Sequence, residues 1–253
     1  MGTSEPEYYE TFGDFHGVLM DRQFTKDWDD VEAFSARPDD LLIVTYPKSG
    51  VRQLKEMESP RIVKTHLPSK LLPASFWEKN CKMIYLCRNA KDVAVSYYYF
   101  FLMIPSYPKP GSFSEFVEKF MQGQVPYGSW YDHVKSWWEK SKNPRVLFIF
   151  YEDMIEDIRK EVIKLIEFLE RKPSEELVNK IIQHTSFQEM KNNPSTNYTT
   201  LPEEIMSHKV SSFMRKGITG DWKNHFTVAL NEKFDMHYEQ QMKDSTLKFR
   251  TEI

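Results

Sequence analysis

Leu41-Leu42-Ile43-Val44-Thr45-Tyr46-Pro47-Lys48-Ser49-Gly50 is the stretch whose reading decides the fold. Leu41 to Tyr46 is apolar, β-branched or aromatic and too short for a helix, so it reads as a buried strand. The residues after it read as a turn. Proline and glycine favour one, lysine supplies a point charge, serine a hydroxyl, and glycine lets backbone N–H groups approach phosphate oxygens. On these residues alone, Lys48-Ser49-Gly50 is either an ordinary strand-ending turn or a phosphate-binding one. It is not a Walker A loop, because no glycine precedes the lysine at the required spacing.

Working outward, Arg61 to His66, Lys82 to Arg88 and Arg145 to Tyr151 have the same strand-like character. Helical patterns fall between and after them. Asn89 suits the cap of a helix running through Val93, Ser96 and Phe100. Met154 to Arg171 carries apolar residues at Ile158, Val162, Ile163, Leu165, Ile166 and Leu169, one helical stripe, with Pro173 ending it. Further helices are expected at Phe113 to Met121, Trp130 to Lys140, Ser174 to His184 and Ala229 to Met242. Strands alternating with helices predict an α/β fold: a mostly parallel sheet flanked by helices, in a single domain over residues 1–253. Ligands in such folds sit beyond the carboxyl ends of the strands. Those ends carry Lys48, then Lys64-Thr65-His66, then Arg88, then Tyr151-Glu152-Asp153. Three of the four bear cationic or titratable groups suited to an anion.

The bulk numbers narrow the function classes. Of 253 residues, 40% are hydrophobic and 28% charged, which predicts a packed core rather than disorder. A net charge of -3 removes the electrostatic case for nucleic acid. The 18 Phe, 13 Tyr and 6 Trp suit either a bulky core or a flat apolar pocket for a ring-shaped ligand. Cys81 and Cys87 are read on one strand, roughly 20 Å apart, too far for a disulfide. Free thiols fit a reducing compartment. Met1 to Glu10 is acidic and lacks a signal-peptide run, Pro6 breaks the myristoylation pattern, and no apolar stretch reaches about 18 residues. The Asn197-Tyr198-Thr199 sequon carries no weight in a cytosolic chain. A cytoplasmic protein without a membrane span is expected.

Several residues invite a chemical reading beside a plain one. Arg88 can fork onto a phosphate and Ser96, two helical turns on, can add a hydroxyl. Arg215-Lys216-Gly217, near Gly220, can close over a phosphate as a basic loop. Each is otherwise a solvated surface group. His66 sits at a strand end two residues after Lys64, on the same face of the strand. It is either a structural histidine or a base able to take a proton from a hydroxyl, held neutral by the lysine. No cluster has metal-ligand spacing, so no metal is expected. A nucleotide kinase would need the Walker A spacing and acidic metal ligands that are missing.

Taken in order, Tyr46-Pro47-Lys48-Ser49-Gly50, Lys64-Thr65-His66-Leu67-Pro68, Arg88-Asn89-Ala90-Lys91-Asp92 with Ser96, and Arg215-Lys216-Gly217 resemble the cytosolic sulfotransferases over nearly the whole chain. Pro73-Ala74-Ser75-Phe76-Trp77 and Lys191-Asn192-Asn193-Pro194-Ser195-Thr196-Asn197-Tyr198 narrow the resemblance to members acting on estrogens. It implies a P-loop-like nucleotide-binding architecture. It also implies transfer of a sulfuryl group from 3′-phosphoadenosine 5′-phosphosulfate to a phenolic hydroxyl, leaving adenosine 3′,5′-bisphosphate. By the same resemblance, His66 is the general base with Lys64 beside it, and Lys48 stabilises the departing phosphate. Lys48, Ser49 and Gly50 contact the 5′ side of the donor. Arg88, Ser96, Arg215, Lys216 and Gly217 hold the 3′-phosphate. Tyr151, Thr185 and Phe187, with Ser186 and Met190, belong to the nucleotide site. Phe24, Phe100, Tyr127, Tyr198 and Ile205, with Lys64 and His66, line the steroid pocket. Lys223, Thr227, Val228 and Glu232 match the family's dimer motif, implying a homodimer.

After Gly50 the chain departs from that pattern. The family continues with Thr-Thr-Trp and a helix, whereas this chain reads Val51-Arg52-Gln53-Leu54-Lys55-Glu56-Met57-Glu58-Ser59-Pro60 and enters the next strand. A parallel crossover with its helix needs at least about 10 to 12 residues, so the connection is at its lower limit. An internal segment is expected to be missing there. The alternative function it raises is a shortened, inactive relative that binds nucleotide, steroid or a dimer partner.

Overall fold

The computed structural model of the protein describes residues 5–46 and 58–253. Lys48, Ser49 and Gly50 lie outside the described residues. The chain opens with α1 (Glu5–Thr11), β1 (Phe12–Phe15), β2 (Val18–Asp21), α2 (Arg22–Thr25) and α3 (Trp28–Glu32). The central segments follow as β3 (Leu41–Thr45), β4 (Ile62–Thr65), α4 (Ser75–Glu78), β5 (Lys82–Cys87), α5 (Ala90–Met103), α6 (Phe113–Met121), α7 (Trp130–Lys140) and β6 (Val146–Phe150). The remainder is α8 (Tyr151–Glu156), α9 (Ile158–Phe168), α10 (Glu175–His184), α11 (Phe187–Asn192), α12 (Pro194–Asn197) and α13 (Val228–Met242).

The four expected strands pair as a parallel sheet in the order β4-β3-β5-β6. Val44 lies opposite Thr65 and Tyr85, and Cys87 opposite Phe150, so the four carboxyl ends finish in step at one edge. Each strand stops one residue short of its expected end. Tyr46, His66, Arg88 and Tyr151 leave the ladder there. Leu42, Val44 and Tyr85 are fully buried, as strands covered on both faces require. The main core runs from Tyr8 to Leu247 and includes Tyr85 stacked on Trp137 of α7, their centroids 5.5 Å apart. Cys81 and Cys87 are buried free thiols. No described helix is long and apolar enough to cross a membrane.

Helix starts follow local capping. The Asn89 side chain accepts from the Asp92 amide, Ser112 and Glu115 form a capping box, and Ser129 caps α7. One expectation needs correction: Met154 to Arg171 is two helices, not one. Asp157 leaves helical geometry at φ -146° and its side chain accepts from the Lys160 amide, capping α9. The apolar stripe continues across the break, which is why periodicity alone joined the two. The β1–β2 hairpin was not foreseen. Its two-residue turn, His16-Gly17, takes positive φ at both positions, the geometry that matches strand twist.

At the opposite edge, Asp40 and Arg61 clasp the amino ends of β3 and β4. Arg61 Nε and Nη2 donate to the two Asp40 oxygens at 2.8 and 2.5 Å, and both side chains are buried. Burial pushes the Asp40 carboxyl up, but the Arg61 hydrogen bonds more than offset this and hold it below its usual range. Arg61→Met strands a buried carboxylate and is expected to cost about 3–5 kcal/mol in urea unfolding at neutral pH. The depressed Asp40 pKa makes this contribution full above the ordinary carboxylate value, and it is lost as pH falls through the folded one.

Candidate active site

The carboxyl edge of the sheet opens into a cavity of ≈ 360 Å³. Lys64, His66, Arg88, Ser96, Phe100 and Tyr151 all line it, so the sheet register gathers residues from the carboxyl ends of β4, β5 and β6 and from α5. His66 is 1% exposed, and its Nδ1 lies 2.5 Å from the Thr45 carbonyl oxygen. A carbonyl can only accept, so Nδ1 carries the hydrogen and the Nε2 of the neutral ring carries the lone pair. That is the tautomer a base requires. Lys64, two residues earlier, also lines the cavity and is an exposed residue. Desolvation by the surrounding wall lowers its ammonium pKa. Tyr127 meets the His66 ring edge-on at 5.6 Å.

A second cluster forms around the basic loop. Asp92, in the first turn of α5, accepts from the Gly220 and Trp222 amides at 2.8 and 3.0 Å, which draws the loop over Arg88. Arg88 Nη2 donates to the Ile218 carbonyl at 2.7 Å, and its guanidinium lies 4.5 Å from the centre of the Tyr151 ring. Burial pushes the Tyr151 hydroxyl up, against the opposing pull of Arg88. Arg215 and Lys216 both pair with Asp221, at 2.6 and 2.5 Å. Burial pushes the Asp221 carboxyl up, but hydrogen bonds from Lys216, Asn224 and Arg215 bring it far below its usual range. Arg88 Nε, Arg215 Nε and the Thr219 hydroxyl are buried without a hydrogen-bond partner. Three unspent donors beside one loop suit an anion. Gly217 has φ +67°, and a Cβ there would sit 2.1 Å from the Phe187 ring. Glycine therefore lets Phe187 close on the loop.

The other expected residues are spread wider. Thr185 precedes α11, its hydroxyl donating to Ile181. Ser186 caps α11, where Met190 also sits. Of Tyr151, Thr185, Ser186, Phe187 and Met190, Tyr151 lines the cavity, and the Phe187 ring packs against Gly217. Phe24 is 44% exposed with its ring 6.5 Å from Tyr127, and Ile205 is 53% exposed. Half-buried Tyr198 packs at 4.5 Å on Phe213, which lines the cavity. Lys223 pairs with Glu252, and Thr227 caps α13, leaving Val228 and Glu232 on its exposed first turns.

Sequence reasoning missed Asp221, Phe213 and His133, and placed Glu152 at a strand end without giving it a role. Glu152 is buried and accepts from the backbone and side chain of Asn89 at 2.9 and 2.8 Å, and burial raises its pKa. Asp221 was signalled faintly, as an acid five residues after a basic pair. Phe213 and His133 carry no signal outside their tertiary setting.

The chain belongs to the sulfotransferase family: the family described as "Sulfotransferase domain" matches residues 50–246. Within it, the chain is 70% identical to Sulfotransferase 1E1 of Mus musculus, covering all of both proteins, and 70% identical to Sulfotransferase 1E1 of Homo sapiens over 99% of each. The mouse alignment runs to 295 positions against this chain's 253 residues, so that relative has residues with no counterpart here. Among solved structures, mouse sulfotransferase SULT7A1 complexed with PAP superposes with a TM-score of 0.81 at 32% identity, over 93% of this chain and 95% of that one. The chain is thus an enzyme of the sulfotransferase class with the α/β fold of that class.

Asp221→Asn is expected to cost about 1–3 kcal/mol near neutral pH, the worth of charge-assisted hydrogen bonds. Because the folded pKa of Asp221 is depressed, the wild-type advantage is full above about 3.9 and shrinks as pH falls through the folded value. Denaturant titrations at about pH 7 and about pH 3 check both the gap and its narrowing.

Proposed function

We propose that the chain moves a sulfuryl group from 3′-phosphoadenosine 5′-phosphosulfate to the phenolic hydroxyl of estrogens and related steroids or phenols, with His66 as general base. The observation that carries this reading is the His66 ring, fixed by Thr45 with its Nε2 lone pair in a cavity that also holds Lys64, Arg88 and Ser96. The similar mouse sulfotransferase SULT7A1 was solved complexed with PAP, and similar proteins of high identity are named Sulfotransferase 1E1.

The residues fit the nucleotide. The unspent donors of Arg88, Arg215 and Thr219, with the Gly217–Phe187 contact, make a cradle for a phosphate beside a ring face. Arg88, Ser96, Arg215, Lys216 and Gly217 hold the 3′-phosphate in this reading. Tyr151, Thr185, Ser186, Phe187 and Met190 serve the adenosine. When bound, the donor supplies an activated sulfuryl group on a phosphate leaving group. His66 Nε2 takes the phenol proton as the phenol oxygen bonds to sulfur and the sulfur–phosphate oxygen bond breaks. Lys48 and Lys64 offset the negative charge that shifts to the departing phosphate and the moving group. Phe24, Phe100, Tyr127, Tyr198 and Ile205 provide apolar walls for a flat acceptor. We further read residues 1–253 as one domain acting in the cytosol without a metal, paired into a homodimer through Lys223, Thr227, Val228 and Glu232. We also read an internal segment as missing after Gly50; the surplus of alignment positions in the mouse relative supports a shorter chain here and does not place the gap.

Two measurements test this. His66→Ala is expected to lower turnover of a phenolic steroid by about 10²–10⁴-fold with the fold retained. Wild-type protein that binds adenosine 3′,5′-bisphosphate yet turns nothing over would instead identify a shortened, inactive relative. Gly217→Ala forces strain of about 1–3 kcal/mol at a positive φ and pushes on Phe187. It is expected to weaken adenosine 3′,5′-bisphosphate binding about ten-fold in calorimetry.

A further inference from the structure

Helix α7 turns a fully buried face toward the strand ends. His133 and Trp137, one turn apart on it, are 1% and 0% exposed. His133 Nε2 lies 3.0 Å from the His66 carbonyl oxygen, and Trp137 Nε1 donates to the Leu67 carbonyl at 3.2 Å. Two ring nitrogens at i and i+4 therefore hold two consecutive carbonyls of the turn that bears the base. On its other side, His133 Nδ1 lies 2.8 Å from the Tyr85 hydroxyl of β5. The hydrogen positions follow by elimination. The His66 carbonyl can only accept, so Nε2 of His133 bears the hydrogen. In the neutral ring Nδ1 then accepts from Tyr85. Burial supports the neutral form, pushing the His133 pKa down to about 4. The Tyr46 ring meets His133 edge-on at 5.2 Å and closes the remaining side.

His66 is thus held twice, by its carbonyl through His133 and by its Nδ1 through Thr45. Moving the carbonyl swings the same residue's Cα–Cβ bond, and with it the short bond to Thr45 that sets the His66 tautomer. We propose that His133 is a positioning residue for sulfuryl transfer: its Nε2–H, oriented by Tyr85, fixes the His66 backbone so that the His66 Nε2 lone pair faces the acceptor. The role in transfer rests on the reading of His66 as the base. The control of the His66 ring does not. A histidine that merely filled the core would affect stability and leave the His66 tautomer alone.

The test uses the full chain with ring-¹⁵N histidine, the His66 signals being assigned by their loss in His66→Ala. Long-range ¹H–¹⁵N spectra of the wild type are expected to show His66 protonated at Nδ1. In His133→Phe, shown folded by a cooperative thermal transition, the His66 signals move to a mixture of tautomers. Its kcat with 3′-phosphoadenosine 5′-phosphosulfate and a phenolic steroid falls about 10- to 100-fold, a part of what a general base supplies. The donor KM stays within about two-fold, because the anion cradle is untouched. His133→Gln, which keeps an N–H near the Nε2 position, is expected to restore the wild-type tautomer and most of kcat. Should His133→Phe not fold, Tyr85→Phe keeps the packing and releases the His133 tautomer, and it is expected to move the His66 signals in the same direction. Unchanged His66 signals in the folded variant that is measured overturn the proposal, as does a His133→Gln that falls as far as His133→Phe. A wild type without turnover sinks the reading of His66 as base, and the ring spectra still decide the role of His133.

Discussion

Parallel pairing in register is the constraint on which the rest of the structure depends. Because β4, β3, β5 and β6 run the same way and end in step, four unrelated stretches of chain deliver Tyr46, His66, Arg88 and Tyr151 to one edge. A slip of one residue would exchange the two faces of a strand and carry the residue at its carboxyl end out of step with the others. The apolar layers on both faces therefore set the site as firmly as they set the fold. Stability and chemistry are divided between the two edges. The amino edge holds the neutralised Asp40–Arg61 pair, and the carboxyl edge holds the cavity with its donors still unspent.

Two groups of contacts stand at the carboxyl edge of the sheet. Beside His66 stand the Thr45 carbonyl and the Tyr127 ring, and its own carbonyl meets the uncharged His133. Around Arg88 the neighbours are charged, with Arg215 and Lys216 held by a buried Asp221 and the loop itself hung from Asp92. An anion site works best where its cations are fixed in advance. Asp221 supplies that fixing. Two basic side chains next to each other in a loop repel, and one carboxylate between them lets them share a small volume.

The four strands of the parallel sheet, α5, α6, α7 and the two basic segments were legible in the sequence because each follows from a local rule. Four-residue to six-residue apolar runs bounded by turns make strands, and Asn89, Ser112 and Ser129 cap the helices that follow. The break at Asp157 was not legible, since an apolar stripe shows a helix face and is blind to a side chain that prefers to cap. The hairpin at His16-Gly17 was passed over because its strands have four residues each, too few to register as an alternation. His133 could not be picked out of seven histidines. Its role depends on Tyr85 and His66, 48 and 67 residues away in sequence.

By itself, then, the sequence determined the α/β class, the ends of the strands and which residue types stand at those ends. It did so because strand length, burial on both faces and capping are properties of neighbouring residues. The tertiary structure decided which of those ends meet, which nitrogen of His66 carries its proton, and which acids answer the basic loop. Those are matters of distances between segments far apart in the chain. Hydrogen bonds and charges act over a few ångströms, so no local pattern records them until the sheet brings the segments together.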